Sequence, residues 1–272
     1  LRPYQCAVCA VTGHINVHET GAIEATGHKV MGIESGDGKL TAEQIREVYS
    51  RHWTDESHEH IAQPKLVYIS DSTEIGTIYT KNELKEIYKA CKENDMYLFI
   101  DGARLGYALA SEDNDLDLKT IAENCDVFYI GGTKCGAMFG EALVILNNEL
   151  KKDFRYVIKQ KGGMLAKGWL LGIQFDELLK DGLYFELAAH ADKMAYKIKN
   201  AALEAGYKLY SDSPTNQQFI IFPDRLIEKL SEKYVFSYQE RIDENNSAVR
   251  ICTSWATDEK NVDMLIKDIK EC

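Results

Sequence analysis

Apolar runs alternate with segments of helical period along the first half of the chain. "CAVCAV" (6–11), "KLVYIS" (65–70), "MYLFID" (96–101) and "DVFYIG" (126–131) read as strands. Between them, "TAEQIREVYSRH" (41–52) carries a Thr41 N-cap and apolar residues at Ile45, Val48 and Tyr49, the spacing of one helix face. "TKNELKEIYKACKEN" (80–94) aligns Leu84, Ile87, Tyr88 and Cys91 in the same way. Continuously apolar strands separated by amphipathic helices predict an α/β fold with a mostly parallel sheet covered on both faces.

The pattern changes after residue 150. "GMLAKGWLLGIQFDELL" (163–179) and "YFELAAHADKMAYKIKNAALEAG" (184–206) read as long helices, the second stopped by Gly206. "YKLY", "QQFIIF", "YVFSYQ" and "SAVRICTSW" then read as strands, with helices near 224–231 and 258–270. This predicts a large α/β domain over 1–165 and a small C-terminal α+β domain with connecting helices over 166–272, the boundary lying loosely in 150–180. The chain begins at Leu1, without Met and directly before an apolar strand, which predicts further residues upstream.

Composition narrows the partners. The chain has 272 residues, 45% hydrophobic and 28% charged, with a net charge of −11. No apolar run approaches the roughly 20 residues of a membrane helix. No basic stripe offers a nucleic acid its phosphate contacts. The first ten residues lack the basic and apolar regions of a signal peptide. Seven scattered cysteines, an odd number, fit reduced thiols in a cytoplasmic protein. Cys6 and Cys9 form one CxxC, which reads as two small strand residues before it reads as half a metal or redox site. His52, His58 and His60, with Asp55, Glu56 and Glu59, read as a solvated polar loop before a metal cluster.

Ligands of parallel α/β sheets bind beyond the carboxyl ends of the strands. Four polar residues fall there: His14 after 6–11, Asp101 and Arg104 in "DGAR", and Lys134 in "GGTK". A partly dehydrated lysine has a lowered pKa, and its neutral amine attacks carbonyls. Gly131, Gly132, Gly136 and Gly140 would let a flat ligand approach. A carboxylate 4 Å from a ring nitrogen gains about 4 kcal/mol at an effective dielectric near 20, holding that nitrogen protonated. An imidazole can lie on the ring. Together these describe a pyridoxal phosphate site. Singly, each has a plain structural role: Asp101 as a turn-initiating carboxylate, Arg104 as its ion-pair partner, Lys134 as a snorkelling strand-end lysine, His14 as a satisfied buried histidine.

"TGHINVHETGAIEATGHKV", "YLFIDGARLGYALA", "VFYIGGTKCGAMFGEALVI" and "VRICTSWATDE" resemble, in order and spacing, the low-specificity threonine aldolase group of beta-eliminating lyases, fold-type I pyridoxal 5'-phosphate enzymes. The resemblance implies an aspartate aminotransferase-like fold and cleavage of a threonine-like β-hydroxy-α-amino acid to glycine and an aldehyde. It implies a Schiff base on Lys134, Asp101 facing the pyridine nitrogen, His14 stacking on the ring, and Arg104 near the cofactor or the substrate carboxylate. Arg250 would reach in from the small domain to the α-carboxylate, which its planar fork suits. Glu74 stands where many such enzymes carry a substrate-side histidine; His14, Glu74 or a held water could then be the general base. Lys161 and Lys167 lie in a segment resembling one that touches the phosphate from a neighbouring subunit, or else form a solvated helix face. The family's Gly-Thr phosphate cradle precedes the region matching residue 1, so the chain is a fragment or its phosphate binding is compromised. A homodimer or homotetramer follows from the same resemblance. β-Elimination, transamination and an inactive truncated homologue are the alternatives.

Overall fold

The computed structural model describes residues 1–271. Its larger sheet has six strands: β1 (Gln5–Ala10), β2 (Val30–Ile33), β3 (Gln63–Ser70), β4 (Tyr97–Asp101), β5 (Val127–Gly131) and β6 (Glu141–Ile145). Their order is β2-β1-β3-β4-β5-β6. All neighbours run parallel except β5 and β6. The expected α/β architecture with a mostly parallel sheet is therefore present. The alternation reading passed over β2 and β6, which are short edge strands only partly buried.

The helices over the sheet start where the sequence places their caps. Thr41 and Gln44 close a reciprocal capping box on helix Ala42–Thr54, and Thr80 and Glu83 close another on helix Lys81–Glu93. The second helix buries Leu84, Ile87 and Cys91, as its periodicity predicts. These meet Val67, Ile69, Leu98, Ile100, Phe128 and Ile130 from the strands in the main core. The opposite face of the central strands is covered more lightly. There Tyr68 packs with Ala7, Cys9 and Ile15 in a small separate cluster, against which Phe99 lies half-buried. Both faces are covered as expected, the second more lightly, and β4 alternates buried and half-buried positions.

A second, antiparallel sheet follows: β7 (Lys208–Ser211), β8 (Gln217–Pro223), β9 (Ser237–Arg241) and β10 (Asn246–Cys252), in the order β7-β8-β10-β9. Val249 and Ile251 face its own core with Ile220 and Phe222, so Arg250 points to the other side. Helix Leu183–Glu204 serves both cores, giving Ala188 and Ala191 to the first and Met194, Ile198 and Ala202 to the second. Two expected elements are shorter. Helix occupies only Trp169–Leu179 of 163–179, because Gly162, Gly163 and Gly168 keep the preceding stretch in turns. The strand expected at 234–239 starts only at Ser237, since Tyr234 and Phe236 turn to pack on the small core instead.

Candidate active site

Four strand ends place the site. His14 follows β1, Glu74 follows β3, Asp101 ends β4 and Lys134 follows β5. His14, Glu74, Asp101, Arg104 and Lys134 line one cavity of about 80 Å³, with Glu19, Ser70, Ser72, Thr73, Ala103 and Tyr129. The convergence expected from strand-end positions is met for His14, Asp101, Arg104 and Lys134, and Glu74, raised only by the family resemblance, joins them.

Close packing of backbone brings Lys134 there. A Cβ on Gly131 would stand 2.4 Å from the Ala103 carbonyl oxygen, and one on Gly132 would stand 2.6 Å from that of Gly140. Gly131 and Gly132 thus admit neighbouring backbone, and Gly136 and Gly140 abut leucine side chains at positive φ, so none of the four opens space for a flat ligand, which corrects the expectation for them. Tyr184 then locks the turn, donating to the Gly131 carbonyl at 2.9 Å and accepting from the Gly106 N–H at 3.0 Å. The hydroxyl of Tyr107 donates to the Lys134 carbonyl. The Lys134 side chain itself opens into the cavity mouth. Partial dehydration first, and the Arg104 guanidinium second, pull its amine below the ordinary lysine range, against the opposing charge of Asp101.

Asp101 Oδ1 accepts from the Ala103 N–H at 2.9 Å, the expected turn-initiating bond. It also accepts the hydroxyl of Tyr129, while Oδ2 accepts that of Tyr68. Arg104 forms no ion pair with it among the described residues; burial pulls the Arg104 guanidinium down first, with Arg250 adding to it. His14 is not the buried histidine of the plain reading. It is half-exposed, with Nδ1 against the Glu19 carboxylate. Glu74 Oε1 accepts from the His14 N–H at 2.9 Å and the Ser70 hydroxyl at 2.6 Å. Burial nevertheless raises its carboxyl above the ordinary glutamate range.

Arg250 does not line the cavity, but its charge helps to depress Lys134. Its Nε is buried without a partner, and Nη2 reaches Ser237 Oγ only at 3.5 Å. Lys161 and Lys167 stand exposed in the turns before helix Trp169–Leu179, outside the cavity lining. Cys6 and Cys9 are buried free thiols, pushed up to about 11 and about 12 chiefly by burial. No metal-holding cluster exists among the described residues. His52 departs from the solvated-loop expectation: it is buried, edge-on to Trp53 and His58. The sequence reading missed Tyr68, Ser70, Tyr129 and Glu19. The first three were marked by the period of two, since they share a sheet face with Asp101.

Pyridoxal phosphate can be tested against this donor set. An amine of lowered basicity, a carboxylate and an imidazole surround one cavity, which suits the ring and its aldehyde. The Ser72 hydroxyl, which lines the same cavity, is buried without a partner. The volume lies below the roughly 300 Å³ of a typical small-molecule pocket. The residues fit the reacting end of the cofactor.

Residues 1–224 match the family model described as beta-eliminating lyase. A low-specificity L-threonine aldolase of Pseudomonas sp. is 32% identical over 274 residues, covering 98% of this chain and 76% of that protein. A solved threonine aldolase of Leishmania major superposes with a TM-score of 0.95 at 48% identity, covering all of this chain and 78% of that one. Aspartate aminotransferase of Thermus thermophilus shares the fold at 16% identity, with a TM-score of 0.69.

Proposed function

The chain belongs to the beta-eliminating lyase family, and from that premise we propose that its reaction is the aldehyde-lyase cleavage of a threonine-like β-hydroxy-α-amino acid to glycine and an aldehyde. The observation that carries this reading is one cavity shared by Lys134, Asp101, His14 and Glu74. Pyridoxal 5'-phosphate is the proposed cofactor. When bound, it supplies the electron sink for the pair released as Cα–Cβ breaks.

The protein's part is binding, orientation and proton control. The depressed Lys134 amine is unprotonated more often than an ordinary lysine, and only that form bonds an aldehyde carbon. Asp101 would keep a ring nitrogen of the bound cofactor protonated. His14, its Nδ1 engaged by Glu19, would stack on the ring of the bound cofactor. Arg250 and Arg104 receive the α-carboxylate, whose charge relieves the repulsion between them. Glu74 is the general base for the β-hydroxyl. Its Oε1 is committed to His14 and Ser70, and Oε2, which neither uses, takes the proton.

Residues 1–165 serve as the cofactor-binding part, and 166–272 bring Arg250. A homo-oligomer is supported by exposed apolar side chains in two stretches: Met138 and Phe139, and Trp169, Leu170 and Ile173. Cytoplasmic residence is supported by six free cysteines among the described residues.

The test is acetaldehyde release from threonine by the full-length protein with added pyridoxal phosphate. Glycine and acetaldehyde in equal amounts, lost in Lys134→Ala, are expected. No turnover on threonine or any other β-hydroxy-α-amino acid would reject the assignment. Keto acid with ammonia would point to β-elimination instead.

A further inference from the structure

Two phenols from strands on either side hold the Asp101 carboxylate. Tyr68 on β3 donates to Oδ2, and Tyr129 on β5 donates to Oδ1. The Ala103 N–H adds a third bond at 2.9 Å. Packing alone does not call for those hydroxyls. Tyr68 stacks on Phe99 with ring centroids 5.9 Å apart and planes 7° apart. Phe99 lies 6.2 Å from the Tyr129 ring. The three rings form a row across β3, β4 and β5, and three phenylalanines would fill it equally well. Both oxygens nevertheless end on one carboxylate.

An aspartate's terminal torsion is broad, so a carboxylate at a cavity edge rotates unless donors fix its plane. An ionised carboxylate offers about four acceptor positions. Tyr129 and Ala103 take two on Oδ1, and Tyr68 takes one on Oδ2. One position, on Oδ2, is left for a group in the cavity that Asp101 lines. Burial first, and the Asp101 charge second, push both phenols well above the ordinary tyrosine range. They stay protonated, so toward Asp101 they can only donate.

We propose that Tyr68 and Tyr129 are positioning residues that fix the plane of the Asp101 carboxylate and reserve its last acceptor position for a ring N–H of the bound ligand. The proposal rests on the pyridoxal reading above. Each phenol acts through Asp101 and touches no reacting atom.

The experiment uses the full-length holoenzyme with Tyr68→Phe or Tyr129→Phe, each alone and combined with Asp101→Ala. Absorbance titration with pyridoxal phosphate gives cofactor affinity and the position of the visible band; steady-state kinetics separates kcat from KM. Each single Phe variant is expected to bind cofactor about tenfold more weakly, the effect of losing one hydrogen bond to a charged group. Its visible band should move, and kcat should fall with KM for the amino acid unchanged. In the Asp101→Ala background the same Phe substitutions should change neither affinity nor band, because the group they act through is gone.

Equal losses with and without Asp101 would show a packing role and overturn the proposal. Parental affinity and band in both single variants would overturn it too. Should Asp101→Ala fail to fold, the nitrogen-15 resonance of ring-labelled cofactor in the single variants decides: a shift supports the proposal, and an unmoved resonance overturns it. A parental protein that binds no pyridoxal phosphate would remove the cofactor reading itself, and this proposal with it.

Discussion

Tyr107 donates its hydroxyl to the backbone carbonyl of Lys134, tying the helix after β4 to the turn after β5. The phenol is buried, and burial first, with neighbouring Cys135 second, lifts it beyond the ordinary tyrosine range, so it remains a donor. Tyr107→Phe keeps the ring and leaves a part-buried carbonyl without its donor. Unfolding in urea should show a loss of about 1–3 kcal/mol. Activity should fall along with it, because the turn that aims the Lys134 amine loosens.

The proposed role of Glu74 as general base predicts an acid limb in the pH profile. A general base works only when ionised, and burial raises this carboxyl above the ordinary glutamate range. Activity should therefore rise with pH through a midpoint higher than that of a free glutamate, and fall as the pH drops through it. Glu74→Gln should lower kcat/KM by about a hundredfold or more and flatten that limb. An unchanged limb in the Gln variant would hand the role to another group.

The strand-end residues were legible because chemistry and position coincided. "DGAR" and "GGTK" each put a charge directly behind an apolar strand, and a parallel sheet brings such ends together. The network around Asp101 was not read, for a physical reason. Tyr68 and Tyr129 sit inside runs that look uniformly apolar, and a phenol satisfies hydrophobic periodicity whether or not its oxygen has work to do. The glycines near Lys134 were noticed but given the wrong neighbour. Sequence spacing reveals a need for closeness but not which atoms come close: for Gly131 it is the Ala103 carbonyl of another strand's loop, for Gly132 the Gly140 carbonyl, and for Gly136 and Gly140 leucine side chains. Helix 163–179 was overdrawn because Leu, Ala and Trp suit a helix while three glycines keep its first turns from forming. Arg250 was found through the family resemblance; nothing in "AVRICTSW" alone separates it from a surface arginine.

Asp192 makes stability depend on pH. It is 3% exposed on helix Leu183–Glu204, and burial pushes its carboxyl up to about 9. Its folded pKa lies above its unfolded one, so the folded state binds the extra proton between them. That stabilisation is complete below the unfolded carboxylate pKa and is lost as pH rises through about 9. Asp71, raised to about 7 mainly by burial, acts in the same direction at lower pH. Asp192→Asn should melt at a higher temperature than the parent at pH 9 and near the parental value at pH 4. Equal melting differences at both pH values would refute the assignment to Asp192.

Thiol labelling should find one fast site among the described cysteines. Cys252 is exposed on β10, while Cys6, Cys9, Cys91, Cys125 and Cys135 are buried. Burial raises the last four to about 12, leaving little thiolate to react. In a Cys272→Ser background, native protein should consume about one equivalent of an aromatic disulfide reagent quickly. Adding Cys252→Ser should abolish that burst. A rapid second equivalent would mean that the core opens more readily than its packing implies.

Burial first, and then the charges of Arg104 and, more weakly, Arg250, make Lys134 a weaker base, and Arg104 and Arg250 also repel one another. Whatever anion settles between the two guanidinium groups cancels part of that field. The amine thus becomes more basic when a carboxylate arrives and less so when it departs. On the proposed role of the two arginines, small carboxylate salts should then report on occupancy through the lysine's titration alone, with no turnover needed, and amines that lack a carboxylate should leave that titration unmoved.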